Sequence, residues 1–100
     1  MQVIRLNHHE IAEGLNTLDS WALDPQASSI HKEWGFDSFK TAIRFIVSVG
    51  EIAENHNHHP EFLSTYTKVR IRLVTHDADG LTHKDFDLAT AIDQLVTRDF

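Results

Sequence analysis

Cysteine does not occur in these 100 residues. Its absence excludes a disulfide framework, a thiolate metal centre and a cysteine nucleophile, and it fits a reducing compartment without requiring one. Basic residues are also scarce: 9 Lys and Arg face 15 Asp and Glu, a formal net charge of -6. A surface built to neutralise phosphates is therefore not expected, nor is direct nucleic-acid binding, although eight His can shift the balance at mildly acidic pH. No low-complexity tract or internal repeat suggests disorder or a solenoid. Met1 to Glu10 has no basic region followed by an apolar run, and the most apolar stretch, Phe45 to Ala53, is broken by Ser48, Gly50 and Glu51. The expectation is a cytoplasmic protein without a membrane partner.

What is present is ordinary for a soluble globular protein, with 41% hydrophobic and 24% charged residues. The length suits one domain over residues 1–100, with a single two-layer core. Ionisable side chains concentrate between Glu54 and Asp85, where His56, His58 and His59 are closed by Pro60 and followed by His76. Imidazole titrates near neutrality and ligates metals, so this stretch invites a proton-transfer or a metal reading. The remainder of the chain reads as the scaffold that holds it.

Asn7, with Glu10 three positions on and Leu6 and Ile11 flanking, predicts a capped helix whose apolar face carries Ile11, Ala12, Leu15 and Leu18. His8 and His9 read as solvated residues of its first turn. Trp21–Asp24 and Ile30–Phe36 read as two strands around a turn-rich connection, with Ile30, Lys32, Trp34 and Phe36 on one face. Both Trp read as packing residues. Asp37 or Ser38 can cap a longer helix to about His58, with Phe39, Ala42, Ile43, Ile46, Val49, Ile52 and Ala53 on its buried stripe. Pro60 is the expected stop, because it disfavours helical dihedrals at His59.

A second hairpin is expected from Phe62–Tyr66 and Val69–His76 around Thr67 and Lys68, with His76 at the strand end. Val69, Ile71, Leu73 and Thr75 share its apolar face, and Asp77–Gly80 reads as a turn. Thr82 and Asp85 have the capping-box spacing for a third helix, with a stripe of Phe86, Leu88, Ala89, Ile92, Leu95 and Val96. The order αββαββα predicts an α+β two-layer domain, one antiparallel sheet of four strands with three helices on one face. The scattered Asp residues read as solvated surface.

The spacing Glu54, three residues, His58-His59-Pro60, five residues, Tyr66, nine residues, His76, eight residues, Asp85 resembles the signature of the pterin-4a-carbinolamine dehydratase family. In animals that family is also known as a dimerisation cofactor of a homeodomain transcription factor. Lys68-Val69-Arg70-Ile71, Thr75-His76, Gly80-Leu81-Thr82 and Leu88-Ala89 extend the likeness over most of Phe39 to Leu95. The resemblance implies a lyase without cofactor or metal that dehydrates a 4a-hydroxytetrahydropterin to the quinonoid dihydropterin in pterin recycling. It also implies acid-base roles for His58 and His76, with His59 shaping the pocket. Glu54 and Asp85 match supporting acidic positions, Pro60 matches the helix stop, and Phe62 stands beside the pterin where many members carry Trp. A homodimer or homotetramer is implied as well.

Two other classes compete. One is a binding or assembly protein on the same fold, including a coactivator of transcription, since family members also act as partners. The other is a His-based metal-binding protein, for which Glu54 and His58, at i and i+4 of a helix, offer a weak site.

Overall fold

The fold follows the hydrophobic periods. In a computed structural model, which describes residues 4–100, the order is α1 (His8–Asn16), β1 (Ala22–Leu23), β2 (Ile30–Gly35), α2 (Phe39–His56), β3 (Glu61–Thr65), β4 (Lys68–Leu73), a 3-10 turn (His76–Ala78) and α3 (His83–Asp99). The first three residues of the expected domain lie outside the described residues. All strand pairs are antiparallel, in the order β1-β2-β4-β3. This is the expected α+β architecture. None of the described helices is long and apolar enough to cross a membrane.

Alternation along β2 and β4 decides which face is covered. Ile30 opposes Leu73, Lys32 opposes Ile71 and Trp34 opposes Val69, and directly opposed residues of an antiparallel pair project to the same side. Ile30, Val69, Ile71 and Leu73 are fully buried. Against them pack Ala42, Phe45, Val49 and Ala53 of α2 and Phe86, Leu88, Ala89, Ile92 and Leu95 of α3. Phe45 is the hub, its ring 5.0 Å from both Trp34 and Phe36. Ile11 and Leu6 close the α1 end of the core, while Ala12 is exposed despite its place in the predicted stripe.

The first and third helices begin as their sequences predict. Asn7 Oδ1 accepts the Glu10 N–H at 2.8 Å while Glu10 Oε1 accepts the Asn7 N–H at 2.9 Å. Thr82 and Asp85 cap α3 in the same reciprocal manner. Ser38, rather than Asp37, caps α2, its hydroxyl accepting the Thr41 N–H at 3.1 Å.

Three boundaries differ from expectation. Helix α2 stops at His56, before Pro60 can act: Asn57 adopts the left-handed conformation (φ 50°, ψ 42°), which Asn tolerates and most side chains do not. The second hairpin turns at Tyr66 and Thr67, one residue early, because Thr65 pairs with Lys68 and Tyr66 takes a φ of 53°. Strand β4 ends at Leu73, so His76 lies on a 3-10 turn instead of a strand end.

Two of the Asp residues read as solvated are structural. Asp93 on α3 accepts the Trp21 indole N–H at 3.1 Å and the Lys32 ammonium at 3.1 Å, tying the helix layer to the sheet. Asp24 accepts the Ser28 N–H at 2.7 Å and the Ser28 and Ser29 hydroxyls at 2.8 and 2.9 Å, closing the β1–β2 connection. Polar groups drawn toward a core require such partners, and residue type alone does not reveal them.

Candidate active site

Two chain reversals meet at one edge of the helix layer. The first is the end of α2, where the Asn57 N–H donates to Glu54 O and the His58 N–H donates to Ala53 O, both at 3.1 Å. This pair of bonds is a Schellman motif, and it satisfies carbonyls that the helix end would otherwise leave open. Its geometry turns His58 inward, leaving it 8% exposed. His59 stays outside, and Pro60 leads the chain extended into β3.

The second reversal follows β4. Thr75 and Gly80 form an isolated bridge, with Thr75 N–H donating to Gly80 O at 3.0 Å, and the 3-10 turn from His76 lies between them. The amino-terminal segment straps this loop: the Leu6 N–H donates to Leu81 O at 2.8 Å and Arg5 Nη1 donates to Asp79 O at 3.3 Å. The Arg5 side chain crosses directly over Gly80, where a Cβ would lie 2.6 Å from Arg5 Cδ, so any larger residue there would displace that exposed side chain.

Together the reversals enclose a cleft of about 290 Å³ lined by Asn57, His58, His59, Val74, Thr75, His76, Asp77 and Lys84. That volume is at the lower end of the range for small-molecule sites. Three other clefts, of about 380 to 400 Å³, are larger. None of them is lined by more than one imidazole, so the cleft with the chemistry is not the one with the most room.

Within the cleft the two adjacent imidazoles have different partners. His58 Nε2 lies 2.6 Å from Asp85 Oδ1 in a contact buried from solvent, the Asp85 side chain being 0% exposed. His59 Nε2 lies 2.7 Å from Glu54 Oε1, with both side chains mostly exposed. The pairing corrects the weak metal site suggested for Glu54 and His58: the left-handed turn at Asn57 swings His58 away, and Glu54 meets His59. Among the described residues no group of three or more His, Cys, Asp or Glu side chains converges as a metal ion would require.

Asp85 serves two elements. Its Oδ2 accepts the Thr82 N–H at 3.0 Å, capping α3, and the Thr75 hydroxyl at 2.8 Å, while Oδ1 faces His58. The positive end of α3 adds to the stabilisation of an anion at this place. Of the residues read from the sequence, His58, His59 and His76 line the cleft, while buried Asp85 pairs with the first and exposed Glu54 with the second. Pro60 shapes the exit from the reversal. Phe62 does not line the cleft: it sits on β3 opposite Ile71, 37% exposed. His56, the last residue of α2, is exposed and outside the lining.

Lys84, Asp77 and Asn57 also line the cleft, beyond the candidates that residue type and spacing suggest. Only Asn57 had a signal, as a residue suited to a left-handed helix end directly before the His pair. Lys84 arrives because α3 starts beside the cleft, a tertiary fact. A positive and a negative side chain at one rim can orient a polar heterocycle, and the imidazoles can exchange protons with it.

Comparison with known proteins places this geometry in context. The family model for Pterin 4 alpha carbinolamine dehydratase matches residues 4–95. A protein of Roseiflexus sp. (strain RS-1) named "Putative pterin-4-alpha-carbinolamine dehydratase" is 46% identical over 92 residues, covering 92% of this chain and 97% of its own. One of the same name from Rhizobium meliloti (strain 1021) is 43% identical over 94 residues, covering 94% of this chain and 90% of its own. The crystal structure of a transcriptional coactivator/pterin dehydratase from Brucella melitensis superposes with a TM-score of 0.87 at 32% identity, over 91% of this chain and 97% of that one. A pterin dehydratase-like protein described as a RuBisCO assembly factor in the alpha-carboxysome shares the fold, with a TM-score of 0.66 at 22% identity over 77% of this chain and 89% of that one.

Proposed function

Because the chain belongs to the pterin-4-alpha-carbinolamine dehydratase family, we propose that it is a lyase that removes water from a 4a-hydroxytetrahydropterin. The product is the quinonoid dihydropterin, which re-enters the tetrahydropterin pool after aromatic amino-acid hydroxylation. The observation that carries this reading is the presence of His58, His59 and His76 on one cleft.

Hydroxide leaves poorly, so the 4a-oxygen takes a proton as the carbon–oxygen bond breaks and departs as water. A base removes the ring-nitrogen proton, and the electron pair freed there forms the new double bond. One acid and one base are each worth about 100- to 10,000-fold at a matched pH, and no electron leaves or enters the ring. His58 and His76 supply these two roles, His59 with Glu54 shapes the rim, and Asp85 supports His58. Pro60 fixes the exit of the chain, and Phe62 contributes at most from outside the cleft.

Stopped-flow dehydration of the carbinolamine by the wild type and by His58→Ala and His76→Ala tests the reading. Each variant is expected to lose at least about 100-fold in turnover. Wild-type rates in both, or a wild type that leaves the carbinolamine to decay at its spontaneous pace, would remove the proposal.

The partner is expected to be a second copy of the chain. Every residue of β3 is exposed at the sheet edge, including Leu63 at 59%, and Phe39, Ile43 and Val47 stand out along α2. An edge strand with unpaired backbone groups is covered by pairing with another. Light scattering on the purified protein distinguishes a dimer or tetramer from a monomer.

A further inference from the structure

We propose that Thr75 and Thr82 are positioning residues acting through Asp85: their hydroxyls form a one-way hydrogen-bond chain that holds His58 as the Nε2–H tautomer, its Nδ1 lone pair facing the cleft. Thr75 Oγ1 lies 2.8 Å from Asp85 Oδ2 and 2.7 Å from Thr82 Oγ1, all three residues being buried. A hydroxyl has one hydrogen to donate, and an ionised carboxylate only accepts. Thr75 therefore donates to Asp85, which obliges Thr82 to donate to Thr75. Thr82 Oγ1 in turn accepts the Lys84 N–H at 3.2 Å.

Each hydrogen in the chain then has one destination, running from Lys84 N–H through Thr82 and Thr75 to Asp85. Oδ2 also takes the Thr82 N–H, so it is filled by donors, and Oδ1 is left to face His58 at 2.6 Å. A carboxylate with no solvent exposure requires donors on both oxygens, and the His58 ring supplies the missing one through Nε2–H. Among the described residues no buried side-chain nitrogen or oxygen lacks a partner. Nδ1 therefore opens to the cleft that His58 lines. On the dehydratase reading, on which the catalytic part of this inference rests, the ring meets substrate as a proton acceptor.

The tautomer can be read directly, without substrate. Long-range ¹H–¹⁵N correlation spectra of the full-length protein, labelled at His, are expected to show His58 as Nε2–H when neutral. Thr75→Val keeps the side-chain shape and removes one of the donors that make an ionised carboxylate tolerable away from solvent; Asp85 then carries a hydrogen of its own on Oδ1 and donates it to Nε2, so the variant is expected to populate the Nδ1–H form and to lower kcat about tenfold with little change in KM. Thr75→Ser is expected to restore both, and Thr82→Val to act in the same direction as Thr75→Val. A wild-type His58 protonated on Nδ1, or a Thr75→Val protein with the wild-type tautomer, overturns the proposal; the wild-type spectrum decides even if the valine variant does not fold. Absence of dehydratase activity would sink the functional reading while leaving the spectrum to judge the chain of hydroxyls.

Discussion

His58 and Asp85 stand 27 positions apart in sequence, yet their side chains meet at 2.6 Å, joining the end of α2 to the first turn of α3. The neighbouring pair, His59 and Glu54, also sets an imidazole against a carboxylate, at 2.7 Å. Burial separates them. A hydrogen bond to a carboxylate away from water holds one geometry, whereas an exposed one competes with solvent.

Asp85→Asn is the sharpest probe of the buried pair. The amide keeps the shape and loses the charge, and its NH₂ can present a donor where an acceptor is needed. Turnover is expected to fall by about 100- to 10,000-fold, and stability by about 1–3 kcal/mol because the Thr75, Thr82 and His58 donors lose an ionised acceptor. Stopped-flow kinetics and urea titration measure the two effects separately.

Glu54→Gln should be mild. With both side chains of this pair mostly exposed, the loss is expected to stay within about 0.5 kcal/mol of stability. The readout is KM for the carbinolamine against that of the wild type, and a collapse of turnover comparable to that of Asp85→Asn would contradict the distinction between the pairs.

Asp24 makes part of the stability depend on acid. Burial pushes its pKa upward, but the Ser28 N–H and the Ser28 and Ser29 hydroxyls outweigh it and lower the pKa from 3.8 to about 2. A carboxyl more acidic in the folded than in the unfolded chain stabilises the fold above the unfolded value and loses that contribution as pH falls through the folded one. The stability difference between wild type and Asp24→Asn should therefore be full above pH about 4 and shrink toward pH about 2, as measured by urea titrations across that range.

Gly14→Ala sets two effects against each other. Alanine is better than glycine inside a helix by about 1 kcal/mol. Yet a Cβ at this position would lie 2.7 Å from Cε1 of Phe86, a ring 9% exposed in the core, and such overpacking costs about 1–3 kcal/mol. A net loss in thermal stability is expected, small if Phe86 can shift. A higher Tm would mean that the α1–α3 contact yields freely.

The elements that were legible in the sequence are those specified locally. Asn7 with Glu10 and Thr82 with Asp85 announce their helices because a cap and its partner lie within one turn. Val69, Ile71 and Leu73 announce the buried face of β4 because alternation needs no distant information. His58, His59 and His76 were legible as candidates by type and spacing. Their surroundings were less so. Phe62 is on the strand the sequence predicts, opposite Ile71, but it is not among the residues lining the cleft, because the register of β3 on β4 sets its direction. Asp93 reads as surface, and its partners Trp21 and Lys32 come from elements that only packing brings near, whereas Asp24 bonds Ser28 and Ser29 of its own connection.

The order of residues by itself determined the helices, the buried strand faces, the acidic and cysteine-free character of the chain, and the set of imidazoles available for proton transfer. Tertiary structure decided which carboxylate His58 and His59 each meet, that Lys84 and Asp77 stand at the same cleft, and that Thr75 lines it with Thr82 behind. The physical reason is reach. Periodicity and capping act over a few residues, whereas a buried hydrogen bond between Asp85 and His58 exists only after two layers have packed and excluded the water that would otherwise take its place.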